Sequence, residues 1–183
     1  MAAVGIALNG WSQVEVAMSS LFYVVSGIDN EGKAGAIFDA VISLETRLAI
    51  LDAAIENEPS VADDCELWAA LSARIRKLYK KRHEVAHFLT PSSPQTATSI
   101  SPFFSLEKHY RGTNKTLTDM EILQRAEKFG DVADAVTWFR DVWLPKVRLE
   151  RPPSEPPEEP PLISHILESL SQKKVVPLRP PRS

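Results

Sequence analysis

From Arg74 to His87 the chain reads Arg-Ile-Arg-Lys-Leu-Tyr-Lys-Lys-Arg-His-Glu-Val-Ala-His, six cations and two of its four histidines in one stretch. An imidazole, with an unperturbed pKa of about 6.5, gives or takes a proton near neutrality. A guanidinium offers a planar fork that fits two oxygens of a phosphate. RNA can be cut by its own 2′-hydroxyl, given a base for that hydroxyl, an acid for the leaving oxygen and positive charge for the phosphorane oxygens. These residue types can supply all three. On a helix turning about 100° per residue, Arg76, Lys80, His83 and His87 follow at spacings of four, three and four and share one stripe. Leu71, Ile75, Leu78, Arg82 and Val85 form a second stripe, apolar except for Arg82. A charge set in an apolar stripe needs a partner, a ligand or an interface, because burying it unpaired is costly.

The elements that would hold this stretch are helices. Between Val4 and Ser26, Val4, Leu8, Trp11, Met18, Leu21, Phe22 and Val25 recur mostly at spacings of three, four and seven, with Gly27 as the stop. Trp11 reads as core. Ile37, Val41, Leu44, Leu48, Leu51 and Ile55 predict a second helix over 34–56, closed by Pro59 and antiparallel to the first. Ser60, with Asp63 three residues on, resembles an N-cap for a third helix of about 40 Å that ends before Pro91. Thr90 to Gln95 is turn chemistry, and 98–112 has strand-like composition, which predicts a small hairpin-like insertion between helices three and four. Thr118 and Glu121 make a capping box for a fourth helix that runs to Pro145 or slightly beyond. The fold class is therefore all-α, with a four-helix bundle as its architecture.

Composition bounds the rest. Nine of the fourteen prolines lie between Pro152 and Pro181, so 1–149 reads as the helical domain and 150–183 as an extended tail. Within that tail Leu162, Ile163, Ile166, Leu167 and Leu170 keep helical spacing, a short helix that packs on this domain or on a protein partner. Cys65 is the only cysteine, which excludes an intrachain disulfide and a cysteine zinc cage and suits a reducing compartment. The start of the chain carries no secretion signal and no run is long enough to span a membrane, so the expected location is cytoplasmic. With a net charge of −3, any nucleic-acid contact must come from a local patch.

Two motifs overlap in the histidine stretch. His83-Glu84-Val85-Ala86-His87 satisfies H-E-x-x-H, in which two histidines one turn apart bind zinc and the glutamate activates water. A third ligand would be His109 or Glu107, and Lys80, Lys81 and Arg82 give the motif an unusually charged approach. The second motif is Arg82 to His87, an R-x-x-x-x-H near the end of a long helix in a bundle. In this it resembles the HEPN superfamily over roughly residues 4 to 149. The resemblance implies a metal-independent ribonuclease needing no cofactor, with Arg82 and His87 catalytic and RNA as substrate. It also implies a homodimer with a composite site, and a toxin-antitoxin or phage-defence setting. That family usually has asparagine or aspartate after the arginine; His83 stands there, a third candidate catalytic residue. Arg76 and Lys80 are the candidate RNA-binding cations. Five helical positions separate Arg82 from His87 by about 140°, so convergence needs local unwinding or a second chain related by two-fold symmetry. The competing readings are the zinc hydrolase and a non-catalytic, antitoxin-like binding module whose cations only compensate a helix terminus.

Overall fold

Helix α1, Ala2–Val25, buries Trp11, Val14, Met18 and Leu21 along one face and ends as its sequence predicts. Gly27 takes a positive φ of 71°, a left-handed conformation that suits glycine. The computed structural model describes residues 2–89, 101–102, 117–148 and 155–174. Over these residues the fold is all-α, six helices with one very short strand pair. Among the described residues no helix is long and apolar enough to cross a membrane.

The predicted second helix is two. Helix α2 spans Glu31–Asp39 and α3 spans Leu44–Glu56. Asn30 caps the first through its side chain, accepting from the Lys33 amide at 2.9 Å. Ser43 caps the second, accepting from Thr46 at 3.4 Å. Between them the chain turns, and Arg47 holds the turn by donating to the carbonyls of Val41 (2.6 Å) and Asp39 (3.1 Å). Only from Leu44 onward does the apolar period mark a continuous buried face, through Leu48, Leu51 and Ile55.

Ser60 is not the cap of the third helix. Pro59–Asp64 form a 3-10 turn capped by Glu58, whose carboxylate accepts from both the amide and the hydroxyl of Ser60. Helix α4 follows as Cys65–His87, about 35 Å at 1.5 Å per residue. It stops short of Pro91, as predicted. Phe88–Leu89 then form β1 and pair antiparallel with β2, Ser101–Pro102. The rest of the predicted insertion, including Thr90 to Gln95, Glu107 and His109, lies outside the described residues.

Helix α5, Asp119–Arg148, starts on the predicted capping box. The Thr118 amide donates to Glu121 Oε2 at 2.9 Å, and the Glu121 amide donates to Thr118 Oγ1 at 3.2 Å. The helix continues three residues past Pro145. Its most extensive partner is α1, and Gly10 sits at their close approach. A Cβ added there would lie 3.3 Å from the Ala126 carbonyl oxygen and 3.5 Å from Phe129 Cβ. Trp11 stands edge-on to Phe129, ring centroids 5.5 Å apart, which seals the same seam.

In the proline-rich tail, Pro161–Lys174 form α6, which packs on α4 and α5. Ile163 is fully buried, with Leu162 and Ile166 half-buried beside it. Just before this helix, the Pro157 carbonyl accepts a 3.2 Å hydrogen bond from the Trp138 indole. The tail helix thus packs on its own chain, one of the two expectations for it.

Candidate functional site

The register of α4 is the one its sequence predicts. Leu71, Ile75, Leu78 and Val85 are all buried, and Arg82 interrupts their stripe, half-buried. The Arg82 Nε is shielded from solvent and has no hydrogen-bond partner among the described residues. An unmet donor of this kind costs about 1–3 kcal/mol, more on a charged group, unless another group reaches it. His83 is exposed, its ring 6.3 Å from that of Tyr79 one turn back. His87 is the last residue of α4; its side chain lies outside the described set. Because α4 is unbroken between Arg82 and His87, the unwinding that would turn them toward one point in a single chain is absent there.

Arg76, predicted to hold a flanking phosphate, has all three guanidinium nitrogens engaged within the chain. Nε donates to Glu45 Oε2 at 2.9 Å, one terminal nitrogen to Asp52 Oδ2 at 3.0 Å and the other to Ser72 Oγ at 2.6 Å. Burial lowers the Arg76 pKa, but the bonds and charges of Asp52 and Glu45 outweigh it and leave the pKa above its ordinary value. Asp52 Oδ1 also accepts from the Trp68 indole (2.7 Å) and the Ser72 hydroxyl (3.3 Å). This cluster ties α3 to α4. Of the predicted RNA-binding pair, Lys80 is the one that is exposed and has no ion pair among the described residues.

Glu84, the glutamate of the zinc motif, is occupied as well. It pairs with Lys81 at 3.1 Å and with Arg125 of α5 at 2.8 Å, which leaves it poorly placed to activate a metal-bound water. Among the described residues, no three His, Cys, Asp or Glu side chains come together where a metal ion could sit. The two candidate third ligands, His109 and Glu107, are outside that set.

A second group of cations, not anticipated from the sequence, lies on another face of α4. Arg74, Lys77 and Lys81 face Arg125 and Lys128 of α5 across an open cleft of about 310 Å³, closed at its floor by Leu78. Each half was present in the spacing: 74, 77 and 81 share one helix face, as do 125 and 128. What spacing within one helix cannot supply is the apposition of two helices whose cations lie more than forty residues apart in the chain.

No family model matches this chain, and neither a curated protein nor a solved structure is significantly similar to it.

Proposed function

We propose that the chain is a metal-independent endoribonuclease of the HEPN type that works as a homodimer. The observation that supports this most directly is Arg82: a guanidinium with an unmet Nε donor, set in an otherwise apolar helix stripe, on the same unbroken helix as His87. A half-buried cation in this position, its Nε shut off from water, gains from a second protomer and from a phosphate, and an isologous interface would bring both together. Counting α2 and α3 as one interrupted arm, we read α1, α2/α3, α4 and α5 as a variant of the four-helix plan that the resemblance implies. In the proposed reaction His87 moves the proton of the attacking 2′-hydroxyl or of the leaving oxygen. Arg82 receives the charge that develops on the phosphorane. His83 is the second proton carrier, and Lys80 meets the adjacent phosphate. A cytoplasmic toxin-antitoxin or phage-defence setting is part of the same proposal, with the proline-rich flanks of α6 as the contact for a protein partner.

The test is cleavage of a labelled RNA in chelator by the wild type, Arg82→Ala and His87→Ala. The wild type should leave a 2′,3′-cyclic phosphate end, and both variants should lose cleavage while keeping the helical circular-dichroism spectrum. Wild-type protein that never cuts RNA, or cuts it equally well after both substitutions, overturns the proposal.

One observation favours a second reading, a non-catalytic binding module. Arg76, Lys81 and Arg125 are already paired with carboxylates of their own chain, as in a surface that has settled its charges internally. Such a protein would bind a partner with no cleavage to lose.

A further inference from the structure

The cleft between α4 and α5 is the strongest concentration of positive charge among the described residues outside the Arg82/His83 region. Five cations line it, and the carboxylates that face them are Glu121, Glu84 and Asp131. Glu121 is held by the α5 capping box, and Glu84 bridges Lys81 and Arg125 at one edge. Asp131 at the other edge sits in the field of Arg74 and Lys128. The balance is five against three, an excess of positive charge in a chain whose net charge is −3.

Helix-terminus compensation does not account for this placement. That effect falls off within the first and last turns, whereas Arg74 and Lys77 lie ten or more residues before the end of α4. Arg125 and Lys128 lie in the first third of α5, toward the end where a macrodipole disfavours cations. Arg74 also has its Nε shut away from solvent without a hydrogen-bond partner, so its hydrogen-bonding capacity is not exhausted within the described chain. Lys77 has no ion pair among the described residues.

The cleft has the shape and chemistry of a phosphate track. Arg74 to Lys81 on α4 and Glu121 to Lys128 on α5 each span eight residues, about 10 Å of helix. No aromatic side chain lines the cleft, and Leu78 is its one apolar residue, so a nucleobase has nothing to stack on. Such a lining suits phosphates better than bases. A free nucleotide would leave its base unrecognised; a strand lays successive phosphates along the two rows of cations and keeps its bases outside.

We infer that the α4/α5 cleft binds the sugar-phosphate backbone of single-stranded RNA without sequence preference, on a face of α4 separate from that of His83. The choice of RNA as the strand rests on the function proposed above. The cleft would position the substrate, and Arg82 and His87 would act on it.

The experiment uses the full chain and a short 2′-O-methyl RNA, which lacks the attacking hydroxyl, so binding is read by fluorescence anisotropy without cleavage. Lys77→Ala/Lys128→Ala, two exposed changes, should weaken binding about tenfold and equally for RNAs of different sequence. It should lower the slope of log affinity against log salt by about 1.4, some 0.7 per phosphate contact on a single strand. Lys33→Ala on α2 serves as the control and should change neither. Lys77→Glu should weaken binding further than Lys77→Ala. Affinity and slope unchanged in the double variant, a loss confined to one RNA sequence, or tripolyphosphate binding as tightly as the RNA would each overturn the inference. A wild type that binds RNA through Lys77 and Lys128 but never cuts it would refute the nuclease and leave the track standing.

Discussion

On its α3 side, α4 presents Arg76 inside a closed set of hydrogen bonds; on its α5 side it presents Arg74 and Lys77 to an open cleft. The two regions have similar residue types and sit within a turn of each other in sequence. They differ in what has been done with the charge. Around Arg76, Asp52 and Glu45 supply two carboxylates for one guanidinium, and Trp68 and Ser72 donate to the second oxygen of Asp52. Around the cleft, cations outnumber carboxylates. Satisfied charge of the first kind holds helices together, whereas surplus charge of the second kind lowers stability slightly and is retained where a ligand carries the opposite sign. An arginine's role thus follows from its partners, not its helix.

This contrast can be broken by substitution. Arg82→Ala should have the largest effect on activity, a loss of at least about 10²-fold in RNA cleavage, with a thermal midpoint equal to or above that of the wild type because an unmet buried donor is removed. A steep fall in that midpoint would instead assign Arg82 to the structural class of Arg76. Asp52→Ala should cost about 2–3 kcal/mol in denaturant unfolding, since it orphans the Trp68 indole, the Ser72 hydroxyl and one arm of Arg76 at once. It should leave the RNA affinity of the cleft unchanged. A drop in affinity would show that the two faces are not independent. Ile163→Ala should cost a similar amount, about 2 kcal/mol at the low end for a buried isoleucine, because α6 docks through that side chain. An unchanged midpoint would mean that α6 adds nothing to the stability of the domain.

The smallest effect is electrostatic. Burial raises the pKa of Asp131, with help from Glu127 and Asp134, and Arg74 and Lys128 oppose the shift. The folded state therefore binds this proton more tightly than the unfolded chain does. The contribution of Asp131 to stability is fullest below the unfolded pKa and is lost as pH rises through the folded one. Asp131→Asn should flatten stability against pH just above the usual aspartate range, and at neutral pH change it by less than about 0.5 kcal/mol. It should also tighten RNA binding in the cleft, by removing a carboxylate beside Arg74 and Lys128.

The helices were legible where local chemistry and period agree. Thr118 and Glu121 marked the start of α5, Gly27 the end of the α1 turn, and the α4 stripe showed Arg82 in apolar company. The break after Asp39 was not, because Ile37, Val41 and Ile42 continue an apolar rhythm although Ile37 is 56% and Ile42 96% exposed. Ser43 was the available signal, a capping residue set directly before an apolar run. The engagement of Arg76 was hidden for a different reason. Glu45 and Asp52 are 31 and 24 residues away in the chain, and only packing brings them to it. The same holds for the cleft, whose two rows belong to helices separated by the insertion.

The Trp138 indole gives the tail a spectroscopic handle. It is one of four tryptophans, and its N–H ends on the Pro157 carbonyl, whereas those of Trp68 and Trp143 end on the carboxylates of Asp52 and Asp64. In an amide-type correlation spectrum the Trp138 side-chain resonance should therefore move when residues 155–174 lift away, while the Trp68 and Trp143 signals stay put. Whether a partner peels the C-terminal segment from the body of the molecule can be followed at that one proton, in solution and with no bulky probe attached.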